Sequence, residues 1–223
     1  MQAALEAGAD PVRVVEQVAA NLDALWAHCV ATAVPGAPQP ACARGCSHCC
    51  HERVEATAPE VLLLVRFLRA HADAERDARI VRTAGVVAAM DRDARRQAQV
   101  ACALLGTDGA CTVYEARPLG CRRAHSTDAT TCAAVHVDPA LEVSIPAAPV
   151  LKWSASSLVL GWLEGMAHAG RPPHHYELHA ALSAALHDPD AEKRFLAGED
   201  PLASARTVSA EDLPRLLGHP RSG

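Results

Sequence analysis

Residues 40–51 read Pro40-Ala-Cys42-Ala-Arg-Gly-Cys46-Ser-His-Cys49-Cys50-His51. This stretch is short, crowded with thiols and imidazoles, and has neither helical nor strand periodicity. It decides the fold class, because the chain on either side reads as helix. Upstream, Asp10 and Pro11 form an N-cap and a first helical position. Val14, Val18, Leu22, Leu25 and Trp26 then recur at helical spacing, which predicts an N-terminal helix over 10–34. Three prolines within 35–40 end it. Downstream, Thr57-Ala-Pro-Glu60 has the form of a capping box ahead of Val61-Leu-Leu-Leu-Val65.

Residues 73–100 predict one or two exposed helices divided at Gly85. The eight arginines and five acids of 66–96 predict a solvated face of mutual ion pairs. A second thiol-bearing region runs from Cys102 to Cys132, with short β pieces expected at 112–114 and 142–145. Helical character returns over 150–187, and a polar, proline-punctuated tail occupies 188–223. No strand–helix alternation of the kind a parallel sheet needs is present. The expected architecture is a single domain over 1–223, mainly α, with an irregular cysteine-rich metal-binding region at 40–135 and the core in the flanking helices.

Composition narrows the function. The chain has 223 residues with a formal charge of −5, which argues against a general nucleic-acid or acidic-membrane binder. The longest purely aliphatic run, Val61 to Val65, is too short to cross a bilayer, and residues 1–20 lack a secretory pattern. Only seven residues are aromatic and 47 are alanine, so the 40–135 region has little large apolar surface to hold it. Nine cysteines in a chain expected to be cytoplasmic point to metal or redox chemistry rather than disulfides.

The spacing of Cys46 and Cys49 lets one turn offer two thiolates to one ion, and Cys42 adds a third. In an extended backbone Cys49 and Cys50 would point to opposite sides, which suggests two metals or one multinuclear group. Cys102, Cys111, Cys121 and Cys132 supply four more sulfurs. Cys29, in the first helix, is expected to be a buried bystander. A thiolate-bound metal centre is anionic, so Arg117 and Arg122, around the turn fixed by Pro118, are expected beside the sulfurs. Tyr114 is expected to be a packed ring, and His48, His51 and His125 to be neighbours rather than ligands. His175 and His179 are expected on a solvated helix face.

The combination of Cys46-x-x-Cys49-Cys50 with Cys102, Cys111 and Tyr114-x-x-Arg117-Pro118-x-x-Cys121-Arg122 resembles the YkgJ-type cysteine-cluster proteins, a family described as zinc- or iron-chelating. Thr57 and Glu60 resemble the family's threonine-x-x-glutamate at a helix start. The resemblance spans roughly 40–135 and implies a bound metal without supplying an activity. Flagellin lysine methylases carry a similar cysteine-rich region, so a metal-containing methyltransferase is one alternative. Cys42-x-x-x-Cys46-x-x-Cys49 also spells the radical S-adenosylmethionine triad, but no repeated βα units accompany it.

The expectation is therefore a metal-binding protein with a redox or metal-assisted role. The thiolate site comprises Cys42, Cys46, Cys49, Cys50, Cys102, Cys111, Cys121 and Cys132, holding iron or an iron–sulfur cluster, with Tyr114, Arg117 and Arg122 behind it. The alternative is a non-enzymatic module holding structural zinc or handling metal, with Cys50 as the thiol open to oxidation. Besides the metal ion, the sequence names no protein partner.

Overall fold

The computed structural model describes residues 2–208; the remainder of the predicted polar tail, 209–223, lies outside the described residues. The chain is mainly α with one small sheet. Helix α1 (Gln2–Glu6) precedes α2 (Pro11–Ala31), whose N-cap Asp10 accepts the Val12 N–H at 2.9 Å. After the thiol loop come β1 (Glu55–Thr57) and α3 (Ala58–Ala70), with the expected capping box of Thr57 and Glu60 in place. Helices α4 (Ala74–Val87) and α5 (Arg92–Ala98) follow. The break falls at Asp91, which caps α5 through the Ala94 N–H at 2.8 Å, and not at Gly85, which stays inside α4.

The second thiol region holds α6 (Leu119–Arg123) and α7 (Ala129–Val137). Then come α8 (Pro149–His168), β2 (His175–Glu177), α9 (Leu178–His187), α10 (Ala191–Leu196) and β3 (Arg206–Val208). The strands form one antiparallel sheet in the order β1-β2-β3, with Ala56 opposite Tyr176 and a bulge between β2 and β3. The strand pieces expected at 112–114 and 142–145 are not part of it. Tyr114 instead begins a 3-10 turn, and the sheet is built from three-residue segments far apart in sequence, which carry no readable alternation. Residues 188–208, expected as polar tail, bring Ala191, Leu202 and Ala205 into the core as well as β3.

Two apolar clusters organise the helices. One joins Leu62, Leu64, Leu68, Ile80, Leu178 and Leu182 from α3, α4 and α9. The other joins Val15, Leu22, Trp162 and Met166 from α2 and α8 to Leu5 of α1. The core is not confined to the flanking helices, because Ala103, Leu104, Val113 and Ala116 of the cysteine region are buried in the first cluster and Leu119 in the second. A hairpin-like turn explains this. Thr112 N–H reaches Leu104 O at 2.8 Å and Gly106 N–H reaches Ala110 O at 2.8 Å, so backbone polar groups are satisfied and the flanking side chains of Ala103, Leu104 and Val113 can be buried.

The arginine-rich stretch is only partly a solvated face. Arg66 binds Asp10 at 3.0 Å and Glu192. Arg76 is buried with its guanidinium on Leu68 O and His71 O at 3.0 and 2.8 Å, and Arg95 is buried as well. Among the described residues no helix is long and apolar enough to cross a membrane.

Candidate metal centre

The first thiol loop is a tight turn followed by a 3-10 helix over His48–His51. Gly45 has φ 86°, a left-handed conformation that glycine adopts without penalty, and the turn it makes meets a second one. Gly109, at φ 75°, lies so close that a Cβ there would stand 3.2 Å from Gly45 O. Arg44 and Asp108 add an exposed ion pair at 3.6 Å across the same junction. One backbone bond, Cys102 N–H to Cys50 O at 2.8 Å, locks the two thiol regions together.

The 3-10 helix also changes the geometry expected of the Cys49-Cys50 pair. Successive side chains in such a helix are about 120° apart rather than on opposite sides. The neighbouring Cys50 thiol pushes the Cys49 thiol far up. Cys42 and Cys49 are exposed and the other cysteines are half-buried, Cys29 and Cys50 included. Cys29 is thus less enclosed than expected. All nine are free thiols.

Seven of the eight thiols act on one another in two sets that share Cys49. Cys42 is pushed up first by burial and then by repulsion from Cys46, Cys49 and Cys132. Cys121, on α6, is pushed up by burial and then by Cys102, Cys49 and Cys111. Cys111 is pushed up by burial, Cys102 and Cys49, while the Arg117 charge pulls it back. Each group therefore mixes sulfurs from both regions of the sequence. Among the described residues no three His, Cys, Asp or Glu side chains stand close enough to hold an ion as they are placed. The sulfurs that have partners meet backbone or imidazole instead, as when Cys42 Sγ accepts the Ser126 N–H at 3.4 Å. The donor set nonetheless fits a thiophilic metal: crowded, free sulfurs whose mutual repulsion as thiolates a cation would relieve.

Four supports hold this arrangement. Glu60 accepts from Thr57 N–H at 2.8 Å and Thr57 Oγ1 at 2.6 Å, and from Leu119 N–H at 2.8 Å, which fixes the start of the helix bearing Cys121. Arg122, buried, donates to Arg117 O at 3.0 Å, to Glu115 O and to Asp23 of α2. Arg117 pairs with Asp23 at 3.4 Å and lies over the Tyr114 ring, 3.7 Å from its centroid. Both guanidiniums are thus directed to oxygen acceptors, and Tyr114 is 62% exposed rather than packed inside. Asp128 caps α7, which carries Cys132, through the Thr130 N–H at 2.8 Å.

The fourth support was not expected. His179 is 1% exposed, and His175 lies on β2, so the two do not share a solvated helix face. His179 Nδ1–H donates to Glu177 Oε1 at 3.0 Å. Its Nε2 lies 3.3 Å from Cys102 Sγ and 3.2 Å from Ala103 N. A neutral ring accepts from Ala103; an imidazolium donates to the sulfur. Burial disfavours the charged ring, but Cys102 and Glu177 outweigh it and raise the imidazole to about 9. The same contact lowers the Cys102 thiol against the effect of burial. Histidine next to a thiol at this spacing is invisible locally, because 77 residues separate the partners.

Cys42, Cys46, Cys49 and Cys132 border an open cavity of about 370 Å³, whose walls include His48, His51 and His136 and whose rim includes Leu141, Val143 and Ile145. His51 is held below the ordinary imidazole range by burial and by His136, whose ring stands 4.4 Å away. His125 is occupied elsewhere, with Nε2 accepting from Ala148 N–H at 3.1 Å and its ring edge-on to Trp26.

A spread of free thiols gathered from two loops and backed by Glu60 and the Arg117-Pro118-x-x-Cys121-Arg122 turn is the decisive observation. Residues 41–138 match the CxxCxxCC family model, described as a putative zinc- or iron-chelating domain. The matched segment agrees with the 40–135 region read from the sequence and contains every cysteine except Cys29. No curated protein and no solved structure matches the chain. The CxxCxxCC segment draws Asp23, Glu177 and His179 from outside its own bounds.

Proposed function

We propose that the chain holds iron, as ions or as an iron–sulfur cluster, on the eight thiols of the CxxCxxCC segment, and that the part facing the cavity performs redox or metal-assisted chemistry. The observation that carries this reading is that Cys42, Cys46, Cys49 and Cys132 border one open cavity, while Cys49 also acts on Cys111 and Cys121, which lie with Cys102 away from that cavity, and the Cys50 backbone is bonded to that of Cys102. A sulfur shared between two groups suits a multinuclear arrangement better than one isolated ion. An iron–sulfur group supplies one-electron transfer or an open Lewis-acidic position when bound. Around it the chain supplies an imidazole on Cys102, a fixed turn for Cys121, and a cavity that brings a small molecule to the open sulfurs. Reduced thiols in this number suit the cytoplasm.

A second reading, structural zinc, is favoured by the spread of these cysteines over three separate pieces of chain, Cys50 on the 3-10 turn, Cys102 and Cys111 at the 104–112 hairpin and Cys121 on α6, which an ion would tie to one another. Protein purified without oxygen separates the two. Brown protein absorbing broadly near ~400 nm, with acid-labile sulfide, supports iron–sulfur. Colourless protein with stoichiometric zinc, which unfolds on chelation, supports the structural reading and overturns the first.

A further inference from the structure

We infer that Arg95 is the built-in counter-cation of the interior metal–thiolate group. Arg95 sits on α5, a helix outside the thiol loops, and is 1% exposed. Its Nε, Nη1 and Nη2 are all buried without a hydrogen-bond partner among the described residues. Arginine cannot escape this by losing a proton, so its five N–H donors are left without acceptors around a buried charge. The contrast with Arg76 is direct, since that equally buried guanidinium reaches two carbonyls and Asp77.

The groups whose negative charge bears on Arg95 are Glu177, Cys102 and Glu52. Both carboxylates already have partners: Glu177 holds His179 at 3.0 Å, and Glu52 holds Arg96 at 3.2 Å. Cys102 shares His179 with Glu177, at 3.3 Å from Nε2, and is the one of the three groups whose negative charge appears when it ligates a metal. A group of four thiolates on a divalent ion, or on an iron–sulfur core, carries net negative charge in a closed site. A buried, always-charged guanidinium offsets that charge through hydrogen bonds to sulfur or through the field alone. The bare guanidinium is therefore unfavourable in the metal-free chain and favourable in the loaded one.

This inference rests on the metal-binding reading above, and the test keeps the two apart. Wild type, Arg95→Met and Arg95→Lys are prepared metal-free and titrated with Zn²⁺, and separately with Fe²⁺ plus sulfide, against a chromophoric chelator; melting of each metal-free protein is followed in parallel. Arg95→Met should bind metal about ten-fold or more weakly, while its metal-free form melts at or above wild type because an unpaired buried charge has gone. Arg95→Lys, which keeps the charge, should retain most of the affinity. Equal affinity in wild type and Arg95→Met overturns the inference and leaves the metal reading standing. A metal-free Arg95→Met that melts well below wild type also overturns it, since the guanidinium is then structural. Wild type that takes up neither metal overturns both.

Discussion

Glu60 Oε1 accepts the backbone N–H of Leu119 at 2.8 Å, joining the first turn of α3 to the first turn of α6 across 59 residues of sequence. The other carboxylate oxygen closes the capping box on Thr57. One buried side chain therefore starts two helices and sets where Cys121 stands.

Replacing Glu60 with glutamine keeps the shape but turns one acceptor into a donor facing another donor. The loss should be about 1–3 kcal/mol, the cost of a buried N–H left without a partner. Urea unfolding measures it. Metal uptake should fall more than in a Thr57→Ala variant of similar stability, because only the glutamate reaches α6. Equal metal uptake in the two variants would show that Glu60 is a helix cap and nothing more.

Among the described residues, His179 is the one side chain hydrogen-bonded both to Cys102 and to a carboxylate. His179→Ala leaves Glu177 and the Ala103 N–H buried without it, which should cost roughly 2–3 kcal/mol in the metal-free protein. His179→Gln, able to hydrogen-bond but not to carry charge, should restore most of that stability while leaving metal affinity reduced. If glutamine restored both, the imidazolium charge would have no part in holding the centre.

Acid should reach the open group through Asp128. Hydrogen bonds from the Thr130 and Thr131 hydroxyls and the Thr130 N–H hold this carboxyl at about 2, below its ordinary 3.8. A depressed acid contributes stability that is complete above the unfolded value and is lost as pH falls through the folded one. The α7 cap should thus persist at pH 3.8 and loosen near pH 2, carrying Cys132 with it. Carboxyl chemical shifts followed against pH should place the Asp128 midpoint near 2; a midpoint close to 3.8 would mean that the cap contributes nothing.

What the sequence disclosed was local. Asp10 before Pro11 and Thr57 three residues before Glu60 are signals contained within four residues, and both caps stand where they were expected. The match over 41–138 likewise follows from close spacing. What stayed hidden depends on distant partners. Arg95 differs from Arg92 and Arg96 only in which way its turn of helix faces, and three-residue strands cannot announce themselves. Arg122 was expected beside the sulfurs, yet its acceptors are oxygens, and one of them, Asp23, lies on an element that no spacing rule connects to it.

The middle strand, β2, has a consequence of its own. It pairs on one side with the strand that follows the first thiol turn and on the other with the strand that ends the described chain, and it leads directly into the helix bearing His179. An excised 41–138 fragment would keep every sulfur in question and lose the sheet's central member, the imidazole and the Asp23 anchor. The sulfur-bearing segment is in this sense a tenant of the surrounding helices, and grafting it onto another scaffold would have to transplant part of the house.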